Sequence, residues 1–154
     1  MRGAIYKSLL TGVLCLFMSC SAFAGSSDDV MQIIIKQAKD MGVEPAIVLS
    51  IAQTESGFNQ AAKSKSGHIG VFQLSDSTAK NMNLDPYKLE DNIKGGITYY
   101  KNMFEKFGSM ELAVAAYNVG PDALIRNNKV IPKYSQPFVD RIMAGYNSYK
   151  KSGL

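Results

Sequence analysis

A chain of 154 residues that is 46% hydrophobic, with 17 basic side chains against 13 acidic ones, is large enough for one compact domain and shows nothing that asks for a second. Its net charge of +4 is too weak to argue for a nucleic-acid partner. Both cysteines, Cys15 and Cys20, fall near the N-terminus and leave the remaining chain without a thiol, a disulfide or a cysteine-based metal site. Residues 1–24 read as an export signal. Arg2 and Lys7 supply a positive start, Leu9 to Met18 an apolar run, and Ala22-Phe23-Ala24 a small-x-small cleavage site ahead of Gly25. The run is shorter than the roughly 20 residues that span a bilayer, so no retained transmembrane helix is expected. Phe17-Met18-Ser19-Cys20 offers an alternative in which a lipidated Cys20 becomes the new terminus. Loss of Arg2 and Lys7 leaves 15 basic and 13 acidic residues on a mature domain, residues 25–154, that must hold by packing alone.

The mature chain is predicted to be mainly α, with at most a minor β element. Ser26 or Ser27 caps a first helix whose Val30, Ile33, Ile34, Ala38 and Met41 share one face, and Gly42 stops it. Pro45 opens a second helix that carries Val48, Ile51, Ala52 and Glu55 at helical spacing as far as Gly57. Periodicity disappears from Asn59 to Leu74, where Gly67 and Gly70 punctuate a loop or a very short hairpin. Ser75 or Asp76 caps a short helix through Met82. Asp91 opens a longer one with Ile93, Ile97, Tyr100, Phe104 and Phe107 on one face, ended by Gly108. Ser109 caps Met110 to Tyr117, Gly120-Pro121 breaks and restarts the chain, and Pro137 starts a last helix from Phe138 to Tyr149.

Glu55 is the candidate catalytic residue, because Val48, Ile51 and Glu55 are spaced by three and four and place a carboxyl on an apolar stripe. Burial penalises the charged form and keeps a carboxylic acid protonated near neutral pH, as a general acid requires. The spacing alone equally allows a solvated glutamate in a last helical turn.

The segments Thr54-Glu55-Ser56-Gly57, Gly70-Val71-Phe72-Gln73 and Ala115-Ala116-Tyr117-Asn118-Val119-Gly120-Pro121 occur in one order across the mature chain. Together they resemble the lytic transglycosylases with a goose-lysozyme-like catalytic domain, whose signature runs Glu-Ser, Gly-Leu-Met-Gln, Ala-Tyr-Asn-x-Gly. The resemblance implies a lysozyme-like helical domain that acts on peptidoglycan glycan strands without a cofactor, in the periplasm. It further implies cleavage of the β-1,4 bond between N-acetylmuramic acid and N-acetylglucosamine with a 1,6-anhydromuramoyl product, as in small members that serve envelope-spanning secretion, conjugation or pilus machines. Carried over residue by residue, it makes Glu55 catalytic and Ser56, Gln73, Tyr117, Asn118 and Phe72 substrate-binding. No metal site is expected, since the mature chain has one histidine and no acid cluster at ligand spacing.

Val71-Phe72 stands where the family has Leu-Met, so an aromatic ring is expected to narrow a sugar subsite. His68 stands where a small residue is common and reads as a loop residue. The tyrosine usual near the C-terminal end is replaced by Phe138, which leaves Tyr134 and Tyr146 as candidates for a hydroxyl near Glu55. Gly95-Gly96 in the long helix is expected to mark close helix packing. Two other functions compete: a goose-type lysozyme using Asp76 or Asp85 to activate water, and a non-catalytic peptidoglycan-binding scaffold.

Overall fold

The computed structural model describes residues 26–154, so the predicted export signal and Cys20 lie outside the described residues. Within them the chain forms seven helices and no strand: α1 (Ser27–Asp40), α2 (Pro45–Ser56), α3 (Asp76–Asn81), α4 (Leu89–Phe107), α5 (Met110–Val119), α6 (Pro121–Arg126) and α7 (Gln136–Lys151). Two isolated antiparallel bridges, Lys63 with Ile69 and Ile69 with Leu74, are the minor β element expected between α2 and α3.

Local chemistry explains most helix ends. Ser26 Oγ accepts from the Asp29 amide while the Asp29 carboxylate accepts from the Ser26 amide, a capping box that satisfies two otherwise orphaned donors. Ser75 Oγ accepts from the Thr78 amide and Ser109 Oγ from the Leu112 amide to cap α3 and α5, and Gly57 and Gly108 close α2 and α4 in the left-handed region. The long helix starts at Leu89, two residues before the expected Asp91, because the amides of a first turn need no intrahelical partner and Asp91 instead accepts from the Asp85 amide at 3.0 Å.

The core is organised around α2, in which Ala46 through Ala52 are all buried. A helix apolar on every side belongs at the centre of a bundle. Helix α7 lies along it, with Ser50 Oγ donating to the Ile142 carbonyl at 2.7 Å; α1 and α4 pack against other sides, and α5 packs on α4 and α7. Ile93, Ile97, Tyr100 and Met103 of α4 face this core, whereas Phe104, expected on the same stripe, is 43% exposed and stacks on Tyr100.

The opposite edge of α4 holds the loop between α2 and α3. Asn92, fully buried, accepts from the Phe72 amide at 2.9 Å and donates to the carbonyls of Ile69 at 2.8 Å and Pro86 at 2.9 Å. Gly95 and Gly96 leave room for loop side chains rather than for a neighbouring helix: a Cβ on Gly95 would sit 2.5 Å from Leu74 Cδ1, and one on Gly96 would sit 2.1 Å from Phe72 Cγ. The expectation of close helix packing at these glycines is therefore corrected to close packing of helix on loop. Alanine in place of glycine normally stabilises a helix by about 1 kcal/mol. Gly96→Ala is expected to do the reverse, lowering stability in urea denaturation by about 1–3 kcal/mol as the Phe72 ring is displaced.

Candidate active site

Helix α2 leaves the core at its C-terminal turn, and there Glu55 emerges half-buried. It lines a cavity of about 220 Å³ together with Ser64, Ser66, His68, Gln73, Tyr117 and Asn118. A second cavity of about 260 Å³ shares His68, Gln73, Tyr117 and Asn118 and continues past Tyr99, Thr78 and Gly120. Four common wall residues make the two cavities one groove, with Glu55 at one end. Among the described residues, Glu55 is the only acidic side chain lining either part.

No salt bridge and no side-chain hydrogen bond engages the Glu55 carboxyl among the described residues. Burial therefore acts unopposed and pushes its pKa up to about 7. A carboxyl poised there is protonated in a large fraction of molecules at neutral pH and can both give and take a proton.

Tyr117 stands beside it. Its hydroxyl donates to the Phe72 carbonyl at 2.8 Å, tying α5 to the loop, and its pKa is driven well above the usual value by burial and then by the charge of Glu55. Neither Tyr134, which is 76% exposed, nor Tyr146 lines the cavity of Glu55. Tyr99 meets Tyr117 edge to face, with ring centroids 5.1 Å apart, and extends the aromatic wall. Sequence reading passed over Tyr99, although Asn92, Gly95, Gly96 and Tyr99 recur at the spacing of a second helix face.

Gln73 adopts the left-handed region at φ 47°, an uncommon state for a residue with a side chain. Its Nε2 donates to the Gly70 carbonyl at 2.9 Å, which leaves Oε1 as its acceptor on the groove. Asn118 Oδ1 accepts from buried Ser135 at 2.9 Å, so its amide N–H groups are its remaining donors. Glu55, Gln73, Tyr117 and Asn118, which come from three separate segments, are thus brought together.

Two expected substrate-binding residues sit elsewhere. Phe72 is fully buried against Gly96, so its ring fills the core and cannot narrow a sugar subsite; its contribution to the groove is the carbonyl that holds Tyr117. Ser56 donates to the Val71 carbonyl at 2.8 Å and accepts from the Asn59 amide at 3.0 Å. Its hydroxyl is spent on fastening the end of α2 to the loop, and it does not line the groove. Among the described residues no group of three or more His, Cys, Asp or Glu side chains is placed to hold a metal ion, and no helix is long and apolar enough to cross a membrane.

Comparison with known proteins points one way. The family model described as "Transglycosylase SLT domain" matches residues 32–136. The chain is 32% identical over 79 residues to a transglycosylase of Enterobacteria phage PRD1, covering 51% of this chain and 30% of the relative. It is 30% identical over 96 residues to the membrane-bound lytic murein transglycosylase F of Desulfosudis oleivorans, covering 57% and 21%. The chain thus spans less than a third of the length of either relative. Its fold is similar to that of an inactive mutant of lytic transglycosylase Slt from Pseudomonas aeruginosa, with a TM-score of 0.70 at 21% identity over 79% of this chain and 24% of that one. The 70 kDa soluble lytic transglycosylase of Escherichia coli gives 0.67 at 23% identity over 78% and 24%. The expected mainly α, lysozyme-like architecture is the observed one.

Proposed function

Because this chain belongs to the transglycosylase SLT domain family, we propose that it is a peptidoglycan lytic transglycosylase whose groove binds a glycan strand and whose Glu55 does the proton chemistry. The observation that carries this reading is a half-buried carboxyl, raised by burial to about 7, with no second acid among the described residues lining the groove. Ordinary retaining and inverting glycosidases need a pair of carboxylates. One suffices when the substrate supplies the rest.

In this reading protonated Glu55 gives its proton to the glycosidic oxygen as the C1–O bond of N-acetylmuramic acid breaks. The acetamido oxygen of that sugar stabilises the positive centre at C1. Its C6 hydroxyl then attacks C1 while Glu55, now a carboxylate, takes the hydroxyl proton, so the enzyme returns to its starting state and the product is the 1,6-anhydro sugar. Holding the hydroxyl against C1 in a groove that limits bulk water favours this internal attack over hydrolysis. Gln73 Oε1 would accept from a sugar hydroxyl or amide, Asn118 would donate to an oxygen, and the Tyr99–Tyr117 wall would take the apolar face of a ring.

The rival hydrolase needs an acid that activates water. Asp76 lies in the first turn of α3, and Asp85 accepts from the Tyr87 amide and pairs loosely with Lys88; neither lines the groove. Mass spectrometry of digested sacculi is expected to show anhydro ends, and Asp76→Asn and Asp85→Asn are expected to keep most activity. Reducing ends, or loss of activity in a well-folded aspartate variant, would make the protein a lysozyme-like hydrolase instead. No glycan release at all would leave the scaffold reading. Export to the periplasm after removal of residues 1–24 belongs to the same proposal. Service to a secretion, conjugation or pilus machine is a further part of the same proposal.

A further inference from the structure

His68 stands on the bridged turn between α2 and α3, and its ring lines both parts of the groove. It is held by a closed run of hydrogen bonds. The His68 amide donates to Ser64 Oγ at 3.0 Å, Ser64 and Ser66 Oγ are 3.0 Å apart, and Ser66 Oγ is 2.9 Å from His68 Nδ1. Ser64 Oγ also lies 3.5 Å from Nδ1, so the two serine hydroxyls together hold that side of the ring. Nδ1 is thus the ring nitrogen engaged by the protein, and among the described residues no protein group is hydrogen-bonded to Nε2. The turn itself is closed by the Ser64 amide, which donates to the His68 carbonyl at 2.9 Å.

The ring therefore keeps Nε2 unengaged by the protein on a residue shared by the two cavities, on a wall that also carries Gln73, Tyr117 and Asn118. A loop histidine with no role has no reason to be pre-oriented by two serines that themselves line the cavity of Glu55. We propose that His68 is a substrate-binding residue whose Nδ1 accepts from the serine hydroxyls and whose Nε2–H donates to a carbonyl or carboxylate oxygen on a sugar substituent lying across the junction. This rests on the reading of the groove as a glycan site. Two substituents have the required chemistry: the N-acetyl group of either sugar and the lactyl group of muramic acid.

The test uses the mature enzyme and its His68→Ala and His68→Gln variants, with two probes: chitotetraose, which carries N-acetyl groups only, and glycan strands stripped of peptides, which add lactyl carboxylates. His68→Ala is expected to weaken binding and raise KM by about tenfold, the worth of one hydrogen bond, with kcat within about threefold. His68→Gln, which keeps an N–H donor, is expected to restore binding to within about threefold of wild type. Loss on both probes identifies the N-acetyl oxygen, and loss on stripped strands alone identifies the lactyl oxygen. Unchanged binding of both probes by His68→Ala overturns the inference, and so does a fall in kcat at constant KM. A glutamine variant as weak as the alanine one, with a melting temperature within about 2 °C of wild type, also overturns it. If the wild-type protein itself binds neither probe, it is the glycan-site reading that fails.

Discussion

Glu55→Gln is expected to abolish glycan release while making the protein more stable at alkaline pH. General acid–base groups contribute about 10²–10⁴-fold, and here one carboxyl serves both proton transfers, so a loss of at least about 10³-fold is expected in turbidity assays on sacculi. The amide matches the carboxyl in shape but can neither give the first proton nor take the second. Wild-type activity should fall as pH rises through about 7, because the first step needs the protonated form.

The stability effect has the opposite sign. The folded-state pKa lies above the ordinary value of 4.5, so between 4.5 and about 7 the folded protein binds more protons than the unfolded chain and loses stability as pH rises. The penalty is absent below pH 4.5 and complete above about 7. A shift of this size is worth at most about 3 kcal/mol, and partial exposure of Glu55 brings the expected gain for Glu55→Gln at pH 8 to about 1–3 kcal/mol. Urea denaturation of both proteins at pH 4 and pH 8 checks it. Equal stability at both pH values would mean that the carboxyl is solvated in the native state.

Asn92→Asp is expected to be the most damaging single-atom exchange in the domain. The retained Oδ1 still accepts from the Phe72 amide, but the new oxygen faces the Ile69 and Pro86 carbonyls to which the amide now donates. A buried carboxylate against two carbonyl oxygens has only the Phe72 amide to offset its desolvation, and breaking a buried network of this kind costs about 3–5 kcal/mol. Protonation returns one donor, so the loss should be smaller at pH 5 than at pH 8. Activity should fall with it, since Asn92 sets the backbone that carries Gln73 and that receives the Tyr117 hydroxyl. Denaturation midpoints at the two pH values check the sign. A variant as stable as wild type at pH 8 would show that the loop does not depend on this side chain.

Glu55 illustrates how a correct placement can rest on an incomplete reason. The stripe of Val48 and Ile51 points it inward by spacing, yet α2 is buried on every side from Ala46 to Ala52, so phase along that helix carries little information. Its half-buried state comes from the point at which α2 emerges from the bundle. Tyr99 and Asn92 were legible in principle, as members of a second α4 face with Gly95 and Gly96, but that face lacks large apolar side chains and gives no hydrophobic signal.

What the sequence by itself determined is local. Serine caps, terminal glycines, first-turn prolines and apolar periodicity act over three or four residues, and they delimit the seven helices and the irregular segment from Asn59 to Leu74 closely. Motif order carried the family as well, because chemistry restricts which residues can stand at those positions. Tertiary structure alone decided which of two adjacent loop residues faces the groove. Gln73 reaches it from a left-handed backbone, while Phe72 turns into the space left by Gly96. It also decided that Ser56 is a fastening, that Tyr117 rather than Tyr134 or Tyr146 lines the cavity of the acid, and that His68 lines both parts of the groove. Those outcomes depend on contacts between segments tens of residues apart, whose geometry is set by packing of the whole bundle and leaves no period in the chain.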